Sequence, residues 1–449
     1  MDKKTRIAIV GGGAAGLTSA WFLKQQGYQH VTVLEKLDRV GGKCKSLTFD
    51  GAGFDLGANY ITSSYTKVRK LAAELDMHMF TETKGHALDL TKDRLGGLLG
   101  ATTKKSGLLA VGWSALRYMW KRYFLGRKLA PKSPGFVEAS RDPKLCVSFE
   151  EWLAKNGLKD LVPVFTIPLT LMGYDKLSQI PAAYALTYMN LGTFLNLMMF
   201  AANVPLRGWP KRFDLGYQRL MQRLAAQVDV LTGVDIESIK RGGEGVQITY
   251  SREEQDLNGT RRKQHQAQFD KLILACPLMP DVLDPMLDLS VEESELFAQV
   301  KVDPFVVATY ATDCQIDVSA VTFMLPVPKL GEPYVITQQF REVPFLSIYT
   351  RLDREGQITR EQVLENNRKL LRDVKADQPE IEPYTYDEWA YFPHVFVEQM
   401  QQGFYLKLDA MQGQNDTYYT GGLLGFELVE TIAEFSEHLV TKHFGEARE

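Results

Sequence analysis

Gly11-Gly12-Gly13-Ala14-Ala15-Gly16 is the segment whose residue types and spacing point to the most specific chemistry. It fits G-x-G-x-x-G, a turn in which a dinucleotide pyrophosphate meets bare backbone. Gly11 permits the tight turn, Gly13 lets the phosphates approach, and Gly16 lets helix and strand pack closely. The N–H groups opening the following helix, from Ala14 and Ala15 onward, face the anion, and the helix dipole adds to the attraction. Glu35 follows Gly16 at about the 20-residue spacing where an acid accepts hydrogen bonds from ribose hydroxyls. Lys36 beside it is counted with the same site. A second glycine pair with a base, Gly41-Gly42-Lys43, comes next. It offers another backbone approach to a diphosphate, with Lys43 adding positive charge. A glutamate at position 35 repels a 2′-phosphate, which argues against NADP.

These residues need a βαβ unit to hold them. Ile7 to Val10 is a short apolar run ending in glycines, as a buried parallel strand does. Ala14 to Gln26 reads as a helix closed by Gly27, and Val31 to Leu34 as a second strand. Helical patterns dominate from about Tyr65 to Arg207. Within them, Leu177 to Leu206 carries no charged residue and is long enough to span a bilayer. Pro181, Asn190, Gly192, Asn196, Asn203 and Pro205 interrupt it, so a buried helix is the reading, lining a cavity or serving as ordinary core. Lys104 to Lys132 interleaves bases with Trp113, Tyr118, Trp120, Tyr123 and Phe124. Peripheral contact with an anionic membrane surface, a solvated helix pair and attraction of a carboxylate into a tunnel mouth all fit that stretch. Val302 to Tyr349 is rich in strand-forming residues, and the last forty residues return to strand and then helix.

A chain of 449 residues is too long for one ordinary core, so two or three compact units are expected. Its 45% hydrophobic and 24% charged residues make a folded composition, which excludes disordered and fibrous classes. A net charge of −3 gives no reason to expect nucleic acid. Cys44, Cys146, Cys276 and Cys314 form no C-x-x-C pair, and no zinc spacing appears, so no metal is expected. Free thiols fit a reducing compartment, and the N-terminus lacks a signal-peptide apolar region, so a cytoplasmic protein is expected.

Gly41-Gly42-Lys43 resembles the extended fingerprint of FAD proteins of the glutathione-reductase and amine-oxidase-like class. Three later segments resemble the same class. Phe54-Asp55-Leu56-Gly57-Ala58, with Asn59, looks like the turn passing the isoalloxazine. Val234 sits where the family backbone meets the adenine. Thr417 to Gly422, before a helix that includes Val429, looks like the strand-to-helix motif near the ribityl chain and flavin O2. The resemblance implies FAD, bound in part by Gly421 and Gly422. The family usually carries Asp or Glu after that first glycine, where this chain has Gly422.

Gly173-Tyr174, Pro181 to Tyr184 and Tyr391-Phe392-Pro393-His394-Val395 are similar to flavin-dependent polyunsaturated fatty acid isomerases, bacterial proteins that turn linoleate into a conjugated isomer. They belong to the FAD-dependent amine oxidase-like superfamily. The implied fold is α/β: a Rossmann-like FAD/NAD(P)-binding domain, a mixed-sheet substrate domain and a helical cap. The FAD domain would be discontinuous, residues 1–64, 212–277 and 410–449. The cap would be 65–211 and the substrate sheet 278–409. The implied reaction is hydride transfer from a bis-allylic carbon to flavin N5 and its return to another carbon. The protein supplies an apolar tunnel, a carboxylate anchor and exclusion of water. Tyr174, Tyr184, Phe194, Met198 and Phe392 are the expected substrate-binding residues. The family's carboxylate-gripping arginine has no counterpart; Gly85 and His86 stand nearest. By the same analogy Tyr391 and His394 lie near the flavin, although a lone histidine is more often structural. The alternative is an oxidase or desaturase of an amine or acyl substrate. Lys301 stands near where amine oxidases place a lysine beside N5. A non-catalytic flavin-binding protein is a further alternative.

Overall fold

The computed structural model describes residues 1–81, 85–89, 94–129, 134–202, 204, 210–243, 245–256, 259–311, 321–339, 343–373 and 382–445. Three chain segments that are distant in sequence build one parallel sheet. Its strands run Thr417–Tyr419, Lys271–Leu274, Arg6–Val10, His30–Leu34 and Asp229–Leu231 across the sheet. Ile7, Ala8, Ile9 and Val10 are all buried, which explains why this strand lacks polar alternation. Burying each of its larger side chains contributes roughly 1.5–3 kcal/mol.

The helix Ala14–Gln25 leaves the first strand and packs on the C-terminal helix Val429–Phe444. The Ser436 hydroxyl donates to the Ala15 carbonyl at 3.3 Å, fixing the two helices at the glycine turn. Glu430 links the C-terminal helix to the helix Thr66–Glu74. Its carboxylate accepts from the free N–H groups of Lys67 and Val68, each at 2.8 Å.

A second sheet of seven strands stands apart from the first. Its order is Thr385–His394, Lys301–Ala311, Phe345–Arg351, Pro333–Thr337, Val321–Leu325, Gly85–Asp89 and Arg94–Gly97. The region 65–211 is therefore not wholly helical: two of its segments extend this sheet, Gly85–Asp89 lying parallel to Val321–Leu325. An antiparallel meander, Asp235–Gly242, Gly245–Asp256 and Gly259–Phe269, projects from the parallel sheet.

The charge-free stretch forms two helices, not one: Ala182–Tyr188 and Leu191–Ala201. Asn190 breaks it. Its backbone is extended, and its side chain accepts from the Thr193 N–H at 3.0 Å, capping the second helix. Asn203, Pro205, Leu206, Arg207 and Trp209 lie outside the described residues, as do Lys132 and Cys314. Among the described residues no helix is long and apolar enough to cross a membrane. Cys44, Cys146 and Cys276 are free thiols.

Candidate functional site

A cleft of about 630 Å³ runs over the carboxyl ends of the parallel strands. Two glycine turns form its floor. Gly11 has φ +107°, and a Cβ there would stand 3.0 Å from the Ala275 carbonyl. Gly16 has no room at all, since a Cβ would meet the Gly11 oxygen at 1.9 Å. That close approach is what aims the helix N-terminus into the cleft. The first turn of this helix holds no acidic residue, so its positive end is left for an anion. The second turn abuts the first, with Gly13 bridged to Gly41.

Glu35 ends its strand nearly buried. One carboxylate oxygen accepts from the Gly12 N–H at 2.5 Å and the other from the Leu37 N–H at 2.8 Å. Each oxygen keeps a lone pair, and the side chain lines the cleft, as ribose recognition needs. The Glu35 carbonyl accepts from the Val234 N–H at 3.0 Å, which brings Val234 to the cleft and joins the two chain segments at the strand ends. Gly11, Gly13, Ala14, Ala15, Glu35, Lys36, Gly42, Lys43, Gly57, Ala58, Asn59, Val234, Gly421, Gly422 and Val429 all line the cleft. Gly16 does not; it acts through packing.

One acid in the cleft was not legible in the sequence. The Glu427 carboxylate fills the space beside Gly422, where an added Cβ would meet its Oε2 at 2.1 Å. The acid that the family resemblance expects at 422 is thus matched by a side chain five residues later. The short helix Gly422–Gly425 and the turn at Phe426, φ +74°, bring it back. Glu427 pairs with Lys43 at 2.9 Å. The Lys43 ammonium thus stands on the cleft wall beside a carboxylate. Lys36 remains on the cleft wall.

Beyond the glycine turns the cleft becomes aromatic, with Tyr174, Tyr188, Tyr349, Trp389 and Tyr391 on its wall. Tyr391 lies 5.5 Å from Phe305 and 5.4 Å from Tyr174, ring to ring. Burial pushes the phenols of Tyr65, Tyr174, Tyr188 and Tyr391 well above their usual range, so all four stay protonated. Tyr60, Tyr65, Met172 and Tyr188 also line a second, narrow cavity of about 80 Å³. Its remaining wall includes Leu98, Phe165, Ile167, Phe194, Leu197, Met198, Phe200 and Phe323. Phe194 and Met198, expected at the substrate, thus line this cavity.

Four expected site residues lie elsewhere. Tyr184 is buried behind the wall, its hydroxyl 2.6 Å from that of Tyr405. Phe392 is buried with φ +51° and stacks on His394, ring centroids 4.4 Å apart. His394 is fully buried and lines neither cavity. Its Nδ1 meets the Phe392 carbonyl at 2.7 Å, and burial lowers its pKa to about 4, so it is a neutral, structural imidazole. Asp175, Asp303, Arg351 and Arg354 form an ion-pair cluster beside it. Lys301 is exposed at a strand end and lines neither cavity. The side chains of Gly85–Asp89 lie outside the described residues, so the strand is placed but its side chains are not.

Residues 14–409 match the model of the family "Flavin containing amine oxidoreductase". A CLA-producing fatty acid isomerase from P. acnes has the same fold, with a TM-score of 0.81 at 24% identity, covering 99% of this chain and 100% of that one. Putrescine oxidase bound to putrescine gives a TM-score of 0.69 at 18% identity, covering 99% of each chain. A Mycobacterium tuberculosis protein assigned by name to the flavin-containing monoamine oxidases, AofH, is 28% identical over 252 residues, 54% of this chain and 53% of its own. The chain spans about half the length of that relative.

Proposed function

Because the chain belongs to the flavin containing amine oxidoreductase family, with FAD as its cofactor, we propose that it isomerises the double bonds of an unsaturated fatty acid or related lipid without net oxidation. The observation that carries this reading is the narrow cavity sharing Tyr60, Tyr65, Met172 and Tyr188 with the cleft. No Asp, Glu, Lys, Arg or His stands among its lining residues, taken over the described residues. An ammonium substrate would lose its hydration there with no carboxylate to replace it. An acyl chain instead gains about 0.8 kcal/mol for each CH₂ it buries.

FAD, when bound, would supply an N5 able to take up a hydride and give it back. The chain's residues have a narrower task. The apolar wall holds the acyl chain in one pose and keeps water from the electron-poor carbon skeleton. The tyrosines at the shared wall, Tyr65 and Tyr188, hold their protons, so neither is a base that would divert the reaction by deprotonation. The structural likeness to the P. acnes isomerase supports the same reading. The names of the relatives favour a second reading, oxidation of an amine or acyl substrate. The exposed position of Lys301 removes one argument for it.

The test is anaerobic mixing of the holoenzyme with linoleate, following flavin and conjugated-diene absorbance together. Diene growth without lasting bleaching is expected. Bleaching that persists until oxygen enters would favour the oxidase.

A further inference from the structure

The helix Leu108–Leu129 is apolar on two opposite sides. Its inner stripe, Val111, Ala115 and Tyr118, is buried. The Tyr118 ring lies 4.6 Å from Phe194 and 5.0 Å from Phe165, both in the wall of the narrow cavity. The Tyr118 hydroxyl donates to the Met189 carbonyl at 2.5 Å, locking the helix to that wall. The outer stripe is Leu109, Trp113, Leu116, Trp120 and Tyr123, at the spacing of a single helical face. All five are exposed, Leu109 at 90%, Trp113 at 65% and Trp120 at 68%. Phe124 extends the stripe, its ring 4.7 Å from Trp120. Single exposed hydrophobics are ordinary, but a periodic face of leucine and tryptophan marks an interaction surface.

Charge says what covers it. From residue 94 to residue 137 the sequence contains no acidic residue. Lys104 and Lys105, a few residues before the helix, and Arg117 on it are exposed, and Lys121 on the helix is half-buried. A second copy of the chain on this face would set like charges against each other. Anionic headgroups would neutralise them while the acyl region received the apolar stripe.

We propose that the helix Leu108–Leu129 docks on an anionic bilayer, lying in the plane of its surface with Leu109, Trp113, Leu116 and Trp120 among the lipids. The narrow cavity then sits directly behind the docked helix. This inference stands apart from the isomerase reading, because docking needs no turnover.

The experiment is flotation of the holoenzyme with phosphatidylcholine vesicles and with phosphatidylcholine–phosphatidylglycerol vesicles. Tryptophan fluorescence is read in parallel with brominated lipid as quencher. The holoenzyme is expected to float with the anionic vesicles and to show quenched, blue-shifted emission. Leu109→Glu/Trp113→Glu/Trp120→Glu should weaken partitioning at least tenfold while keeping the flavin spectrum, since these side chains are exposed. Lys104→Glu/Lys105→Glu should lessen the preference for anionic vesicles. No flotation with anionic vesicles would overturn the proposal, as would equal flotation of the triple variant. A lipid-free dimer that the triple variant converts to monomer would assign the face to a second copy and overturn it too.

Discussion

Restoring an acid at position 422 should weaken FAD binding, although the family resemblance alone suggests the opposite. In Gly422→Asp the new Cβ would stand 2.1 Å from Glu427 Oε2 and 3.4 Å from Pro393 Cγ. The Glu427 side chain must move, and moving it breaks the pair with Lys43. That pair is partly screened, with side-chain exposures of 30% and 11%, so it contributes about 1 kcal/mol. Two carboxylates forced within about 4 Å add about 1–4 kcal/mol of repulsion, depending on how much water reaches them. A combined cost of about 2–5 kcal/mol corresponds to FAD binding weakened about 30- to 5,000-fold. The assay is titration of the apoprotein with FAD, read by quenching of flavin fluorescence. Gly422→Asp/Glu427→Ala should recover most of the loss, because the new acid then has the space and Lys43 to itself. Equal or tighter FAD binding by Gly422→Asp alone would refute the reasoning, as would single-variant losses that simply add in the double variant.

Lys301→Met should leave the rate of flavin reoxidation by oxygen unchanged in stopped flow, since the exposed lysine lines neither cavity; a clear slowing would place it at the flavin. Met198→Asp puts an unpaired charge in the narrow cavity, so it should raise the KM for linoleate at least tenfold while the bound-flavin spectrum stays unchanged. His394 titrates near 4 in the folded chain and near 6.5 when unfolded, so the unfolded chain holds the extra proton between these values. Its neutral burial is therefore free of penalty above pH 6.5 and costs stability as pH falls toward 4, by about 1.4 kcal/mol per pH unit. Asp303, raised to about 6 by burial, acts in the opposite sense, holding a proton in the folded chain and losing that contribution as pH rises toward 6. Comparison with His394→Asn isolates the histidine: the variant should gain about 2 kcal/mol on the wild type between pH 6.5 and 5 in denaturant melts. Parallel stability curves would sink that assignment.

The glycine turn, Glu35 and the strands around them were legible because they depend on local spacing. A buried parallel strand, a turn that excludes Cβ and an acid at the next strand end leave direct marks on residue type. Glu427 left no such mark. Its place depends on the reversal at Phe426 and on Lys43, which is distant in sequence. Tyr184 and Phe392 show a related limit. Both lie near the site in sequence, yet packing turns the Tyr184 hydroxyl toward Tyr405 and the Phe392 ring onto His394. The break at Asn190 was visible in residue type, but only its cap on Thr193 shows that two helices form where one was expected. Among the strands within 65–211, Gly85–Asp89 pairs with 321–325 and Met79–Thr81 with 211–213, each more than 100 residues away, so local helical patterns could not reveal them.

The fate of a label tests the central claim most directly. Linoleate carrying two deuterium atoms at its bis-allylic carbon would be incubated anaerobically with the holoenzyme in ordinary water. Internal hydride return predicts a conjugated product that keeps both deuterium atoms, one of them on a new carbon. A product with solvent hydrogen at that carbon, or a desaturated lipid with peroxide once oxygen is admitted, would contradict it.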